Sequence, residues 1–251
     1  MGHVIFIGAG PGAADLITVR GAQRLRLADV VLFDALTDPA LRALAPQARW
    51  VNVGKRGFAD STGQSTINAL LVKHARESNV VVRLKGGDPS VFGRLEEELE
   101  ALAAAGIACE VVPGVTAAIA AAAATLRPLT RRGSGRSVSL TTAMTREGSL
   151  NATRTADTEV FYMAGKQLAA LSRRLLKAGW PAGTPASVVS RAGWPDQLQS
   201  DHHVEALRDA TLLHAGRPTV VTVGAGAAPL AAPNAIQAVA ALTFGAETTK
   251  P

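Results

Sequence analysis

Three stretches of this 251-residue chain hold residues whose type and spacing could do chemistry. In the first, VVVRLKGGDPSVFGRLEEE at 80–98, an apolar run ends in Lys85-Gly86-Gly87-Asp88-Pro89. Glycine turns expose backbone N–H groups to anions, so phosphate is the first suspect. An aspartate inside the turn argues against it, and the turn reads as built for something neutral or cationic. Just beyond lie Arg94 and Glu97. Residues three apart share a helix face, so this pair can point the same way, with Glu96 and Glu98 about 100° to either side. Acids in a first helical turn are also favoured by the macrodipole, at about 0.3–1 kcal/mol each.

The second stretch, GAGPGA at 8–13, matches the dinucleotide pattern G-x-G-x-x-G/A, with Asp34 where a ribose-binding acid would stand. By motif alone an NAD-linked oxidoreductase is a hypothesis. Pro11 weakens it by removing an N–H from the turn meant to cradle pyrophosphate. The third is RPLTRRGSGR, which carries Arg127, Arg131, Arg132 and Arg136. Its proline, glycines and lack of periodicity read as a solvated linker. The guanidiniums also suit a substrate rich in carboxylates, which Arg grips with a two-pronged fork.

Short apolar strands must position these residues. They are expected at His3–Gly8, Asp29–Asp34, Arg49–Val53, Asn79–Leu84 and Ala108–Val112, with helices near Ala14–Ala28, Gln64–Glu77, Leu95–Ala105 and Thr116–Thr125. Strand and helix in alternation predict an α/β fold around a largely parallel sheet covered on both faces. Past the arginine stretch, strands are expected in RSVSLTTAM, DTEVFYM, PASVVSRAG and RPTVVTVGAG, with helices at Lys166–Ala178 and Val204–Ala215. The reading is therefore two α/β domains, 1–130 and 131–251, the second closing in a loosely held Ala/Pro-rich tail from about Ala225.

Composition narrows the class. The net charge of +6 permits an acidic small molecule or nucleic acid, but aromatics are only 4% and do not interleave with basic runs, so no base-stacking platform is expected. Cys109 is the single cysteine, which removes intrachain disulfides and thiolate metal clusters; no metal is expected. The longest apolar stretch, VTAAIAAAAATL, falls short of the roughly 20 residues a membrane span takes. With no signal-like start, the expectation is a soluble, cytoplasmic protein with no membrane or nucleic-acid partner.

Taken together, GAGPGAADLIT, VVLFDAL, GKRGFADSTGQSTIN, VVRLKGGDPSVFGRLEEE, VVPGVTAAIAAAA, PLTRR and VFYMAGKQL resemble the tetrapyrrole methylases, in family order from residue 4 to about 225. The resemblance implies two α/β domains with the active site in the trough between them, as a homodimer. S-adenosylmethionine would be the methyl donor, its sulfonium and amine explaining a turn that carries Asp88 rather than bare glycine. The donor site would take in Pro11, Gly86, Gly87, Asp88, Val91, Thr116, Ala117, Met163, Ala192 and Thr219. The reaction implied is methylation of uroporphyrinogen III at C2 and C7 to precorrin-2, which feeds sirohaem, cobalamin and haem d1. Lys55, Arg56 and Arg132 would bind the substrate's carboxylates, and Glu97 with Arg94 would handle the proton lost after methylation. The chain departs from the family pattern at Phe58, Ala59, Asp60, Leu95, Glu96, Arg131 and Ala192-Gly193, mostly on the acceptor side. A methylase of a later corrin intermediate, a non-catalytic tetrapyrrole-binding protein and the NAD-linked oxidoreductase are the alternatives.

Overall fold

The computed structural model describes residues 2–54, 63–143, 150, 152 and 154–230. Lys55, Arg56, Phe58, Ala59 and Asp60, and the tail beyond 230, lie outside the described residues.

Strands β1 (His3–Gly8), β2 (Val30–Phe33), β3 (Arg49–Asn52), β4 (Val80–Lys85) and β5 (Cys109–Val112) form a parallel sheet in the order β3-β2-β4-β1-β5. Because side chains alternate along a strand, β1, β2 and β4 each feed two cores. Ile5 and Ile7 pack with Leu25, Val31, Leu41, Val82 and Leu84, beneath α1 (Val19–Leu25) and a 3-10 segment at Pro39–Leu44. Val4 and Phe6 pack with Leu32, Ile67, Leu71, Val81 and Leu102, beneath α2 (Gln64–Glu77) and α3 (Leu95–Ala104). The helix expected over 14–28 divides, because Thr18 is extended and caps α1, its Oγ1 accepting from Gly21 N at 3.0 Å. Before it only a single 3-10 turn forms, at Ala14–Leu16.

Two cations interrupt the apolar pattern of β4. Arg83 and Lys85, each 3% exposed, point with Val81 toward α3, where Glu98 is fully buried. Arg83 Nε donates to Glu98 Oε1 at 3.0 Å, Lys85 Nζ to Oε2 at 2.7 Å, and a further Arg83 nitrogen to Asp34 Oδ1 at 2.7 Å. Burial, with the neighbouring Arg83 charge, pulls the Lys85 pKa down. Glu98 therefore binds the carboxyl end of β4 to the first turn of α3.

The second half is not a parallel α/β unit. Strands β6 (Val138–Thr142), β7 (Thr158–Tyr162), β8 (Pro185–Ser190), β9 (Leu198–His203) and β10 (Thr219–Gly224) lie in the order β6-β7-β10-β8-β9. Only β6 and β7 run parallel; every other pairing is antiparallel. The polar edge strand β9, LQSDHH, has no apolar run by which to anticipate it. The helix expected at 204–215 is a 3-10 segment, Val204–Ala210, in which Val204, Leu207 and Ala210 are buried. That spacing of three suits three residues per turn rather than 3.6.

One face of this sheet packs on α5 (Leu168–Lys177) through Phe161, Val188, Val221 and Val223. The other face packs on α4 (Ala117–Ala124), which precedes the second sheet in sequence, through Val160, Tyr162, Val189 and Val220. The small side chains of AAIAAAAA make this helix the joint between the halves. RPLTRRGSGR is no free linker either. Buried Arg127 clamps both carboxylate oxygens of Asp201 and donates to Ala227 O at 3.1 Å, while Arg131 reaches the carbonyls of Ala228 and Pro229. The start of the expected tail is thus tied down as far as Pro229.

Glu98→Gln should lower the unfolding free energy by about 3–5 kcal/mol, since it leaves buried Lys85 with no carboxylate and buried Arg83 with Asp34 alone. Glu96→Gln, on the exposed side of the same turn, should stay within about 0.5 kcal/mol. Urea titrations giving equally small losses would mean that Arg83 and Lys85 find other partners.

Candidate functional site

Parallel pairing of β1 with β4 sets Gly8 opposite Lys85, so both strands leave the sheet at one level. The turns that follow bond to each other. Gly87 N donates to Gly10 O at 2.7 Å and Gly10 N to Gly87 O at 3.3 Å. Both glycines sit at positive φ, +78° and +71°, where an L side chain would be strained. Asp88 adds the exit of β5: its Oδ2 accepts from Gly114 N and its Oδ1 from Ser90 N, each at 2.8 Å. Three chain segments converge where the strand order switches, the usual place for a ligand in an open parallel sheet.

The second half supplies the facing wall. Tyr162 OH lies 2.7 Å from Thr116 Oγ1 and accepts from Ala118 N at 3.3 Å, capping α4 from outside because the Thr116 side chain makes no cap bond of its own. Burial pushes the Tyr162 pKa up, so the phenol stays protonated and can both donate and accept. The loop after β8 closes the seam. Ala13 N donates to Gly193 O at 2.9 Å and Trp194 Nε1 to Pro11 O at 3.1 Å. Gly12 permits this approach, since a methyl there would come within 2.7 Å of the Gly193 carbonyl carbon.

Between the walls lies a cavity of about 220 Å³. Pro11, Gly86, Gly87, Asp88, Val91, Thr116 and Ala117 line it from the first half, and Met163, Ala192 and Thr219 from the second. Every residue expected to hold the donor is thus in one place. The cavity also takes in Leu36, Phe92, Tyr162, Arg191 and Trp194, which the sequence reading does not single out. The available signal for Tyr162 was that it is the chain's single tyrosine, directly before Met163. Phe92, Met163 and Arg191 all have positive φ, between 52° and 58°. Such strain costs of order 1–3 kcal/mol per residue and gathers at functional sites.

Arg94 and Glu97 do not line the cavity. They form an exposed two-pronged pair at the start of α3, with both nitrogen-to-oxygen distances 2.7 Å, two residues beyond the lining residue Phe92. Arg132 is exposed in the turn between the paired residues Arg131 and Gly135. The dinucleotide reading fails on geometry. The turn amides of Gly10, Ala13 and Ala14 are spent on Gly87, Gly193 and Asp38, and Asp34 is held by Arg83. Among the described residues no group of three or more His, Cys, Asp or Glu is placed to hold a metal, and no helix is long and apolar enough to cross a membrane.

Residues 3–208 match the family of Tetrapyrrole (Corrin/Porphyrin) Methylases, and the chain belongs to that family. Among its relatives it is 42% identical over 228 residues to the uroporphyrinogen-III C-methyltransferase of Pseudomonas aeruginosa, covering 89% of this chain and 93% of that protein. It is 46% identical over 193 residues to the siroheme synthase of Edwardsiella ictaluri, covering 75% of this chain but only 42% of the longer relative. Among solved structures, the uroporphyrin-III C-methyl transferase of Thermus thermophilus, complexed with S-adenyl homocysteine, superposes with a TM-score of 0.77 at 34% identity, covering 89% of this chain and 97% of that one.

Tyr162→Phe leaves the Thr116 hydroxyl and the Ala118 N–H without their partner. It should lower stability by about 1–3 kcal/mol in a urea titration. A loss below about 0.5 kcal/mol would remove the phenol as the cap of α4.

Proposed function

We propose that this protein transfers methyl groups from S-adenosylmethionine to C2 and C7 of uroporphyrinogen III, giving precorrin-2. The observation that carries the proposal is the inter-sheet cavity, which gathers all ten donor-site residues of the resemblance. Its chemistry fits a cationic, phosphate-free donor. Among the described residues Asp88 is held by backbone N–H groups alone, so no side-chain cation neutralises it at the cavity wall. The faces of Phe92 and Tyr162, whose centroids are 5.0 Å apart, add the surroundings a cation favours. When bound, the donor supplies an electrophilic methyl on a sulfonium.

Holding donor and acceptor in line is then the protein's main task, because positioning alone supplies several kcal/mol in such displacements. Thr116, Ala117 and Ala192 leave room for a ligand close to the backbone, and Met163 stands beside Tyr162 at the exposed edge. Arg132, with Lys55 and Arg56, is assigned to the acetate and propionate groups of the acceptor. The methylated ring must lose a proton, and Glu97, oriented by Arg94, is assigned to accept it. The reading takes the enzyme as a metal-free homodimer of the cytoplasm, acting on a small molecule rather than on nucleic acid or a membrane.

Calorimetry should show S-adenosylhomocysteine binding tightly and NADH barely at all. Labelled S-adenosylmethionine with freshly reduced uroporphyrinogen III should yield a dimethylated product by mass. Tight NADH binding without response to S-adenosylhomocysteine would overturn the proposal.

Two variants test the acceptor side. Arg132→Ala should weaken use of the porphyrinogen by on the order of 1.5–3 kcal/mol while sparing donor affinity. Glu97→Gln should slow methylation by roughly 10²–10⁴ with little change in stability. If Glu97→Gln behaves like Glu96→Gln, Glu97 is a helix-start acid and the proton leaves by another route.

A further inference from the structure

The loop that closes the donor cavity is held from behind by a polar chain that runs from exposed Asp196 to a buried centre at Ser190 and His214. Asp196 fastens the loop on itself: its Oδ1 accepts from Arg191 Nε at 2.7 Å, and its Oδ2 and carbonyl accept from Arg217. Arg191 in turn covers the Trp194 ring, 4.3 Å from its centroid. Arg217 Nε donates to Ser190 Oγ at 3.0 Å, and Ser190 Oγ lies 2.9 Å from Nδ1 of His214. Beyond, His214 Nε2 is 2.9 Å from Ser200 Oγ, which lies 2.7 Å from Nε2 of His202. Ser190 and His214 are fully buried.

One arrangement spends every proton in this chain. Ser190 already accepts from Arg217, so its own proton goes to His214 Nδ1, and a neutral His214 donates from Nε2 to Ser200. The reverse orientation leaves the buried Ser190 hydroxyl proton with no acceptor, which costs about 1–3 kcal/mol. A charged His214 would set a second cation beside Arg217, whose carboxylate partner Asp196 is already shared with Arg191. The groups that face His214 are His202 on β9 and Arg217, both basic, together with the two serines.

We infer that His214 is a positioning residue for the donor cavity: in its neutral form it fixes Ser190 and Arg217, and through Asp196 it holds the Arg191–Trp194 loop against the first glycine turn. The inference rests on the donor-site reading above. Burial first, then the His202 and Arg217 charges, lower the His214 pKa from its ordinary value near 6.5. The neutral form therefore predominates at and above neutral pH. Protonation, with loss of the loop's support, sets in as pH falls below that ordinary value toward the lowered one.

The test compares wild type with His214→Phe, His214→Asn and Ser190→Ala by two readouts. One is S-adenosylhomocysteine affinity by calorimetry between pH 5.5 and 8. The other is the rate of trypsin cleavage after Arg191 at pH 8 without donor, followed by mass. His214→Phe should weaken affinity about tenfold, the worth of one hydrogen bond of about 1.4 kcal/mol, and should speed cleavage after Arg191. His214→Asn, which keeps an acceptor toward Ser190 but cannot titrate, should restore affinity to within about threefold and abolish the acid-side decline. Ser190→Ala reads the same contact from its other end and substitutes for His214→Phe if that variant does not fold. A lower melting temperature with wild-type affinity and wild-type cleavage would make His214 a core residue and nothing more. The same acid-side decline in wild type and His214→Asn would equally overturn the inference. If wild type binds no S-adenosylhomocysteine, the donor-site reading fails, and the cleavage rates alone decide whether His214 holds the loop.

Discussion

The in-register pairing of β1 with β4 is the constraint on which the rest depends. It brings Gly8 and Lys85 to one level, and only then can the two glycine turns bond through Gly10 and Gly87. A slip of one residue would turn every side chain to the opposite face. Arg83 and Lys85 would then enter the core of Ile5, Ile7, Leu25 and Val31, and lose Glu98. Charge pairing and apolar packing therefore specify the same register. An isolated carboxylate or ammonium in such an interior is costly, so the buried triad acts less as a source of stability than as a penalty against alternatives.

The facing wall follows a different rule. Nothing in an antiparallel sheet directs its turns toward a neighbour's strand ends, so contact is made by a helix of minimal side chains and by one loop. Alanine at nearly every position of α4 lets Val160, Val189 and Val220 approach its backbone, and Tyr162 completes the contact by capping the helix. The cavity is then a gap between the two sheets, bridged by the Tyr162 phenol at one point and by the Trp194 indole and the Gly193 carbonyl at another. Its shape depends on how rigidly those bridges are anchored.

Legibility from the sequence tracks this division. The first sheet could be read because its central strands are buried on both faces and so appear as mostly apolar runs. The second could be read for most of its strands but not for their directions. Parallel and antiparallel pairing differ in connections rather than in residue pattern, and β9 alternates around mostly polar side chains. Of the residues assigned to the donor, Gly86, Gly87 and Asp88 announced themselves as a turn, whereas Met163, Ala192 and Thr219 came only from the resemblance, because no local pattern marks a residue that meets its partners across a cleft. Arg127 and Arg131 show the opposite error. By composition they belonged to a solvated linker, yet their partners Asp201, Ala227 and Ala228 lie far along the chain and are invisible to spacing.

The run Glu96-Glu97-Glu98 shows how far position outweighs type. All three acids occupy the first turn of α3, where the macrodipole favours each of them. A rotation of about 100° per residue gives them separate surroundings. Glu96 meets solvent, Glu97 meets Arg94 at the surface, and Glu98 meets Arg83 and Lys85 in the core. Arg94 can reach Glu97 because its backbone is left-handed, at φ +54° and ψ +32°, just before the helix begins. That conformation and the strained Phe92 two residues earlier are held between two fixed points, the Gly87–Gly10 bridge on one side and buried Glu98 on the other. The strain is therefore not a property of the turn alone. The same buried ion cluster that fixes the strand register also holds the segment carrying Val91, Phe92, Arg94 and Glu97 in a shape it would not adopt by itself.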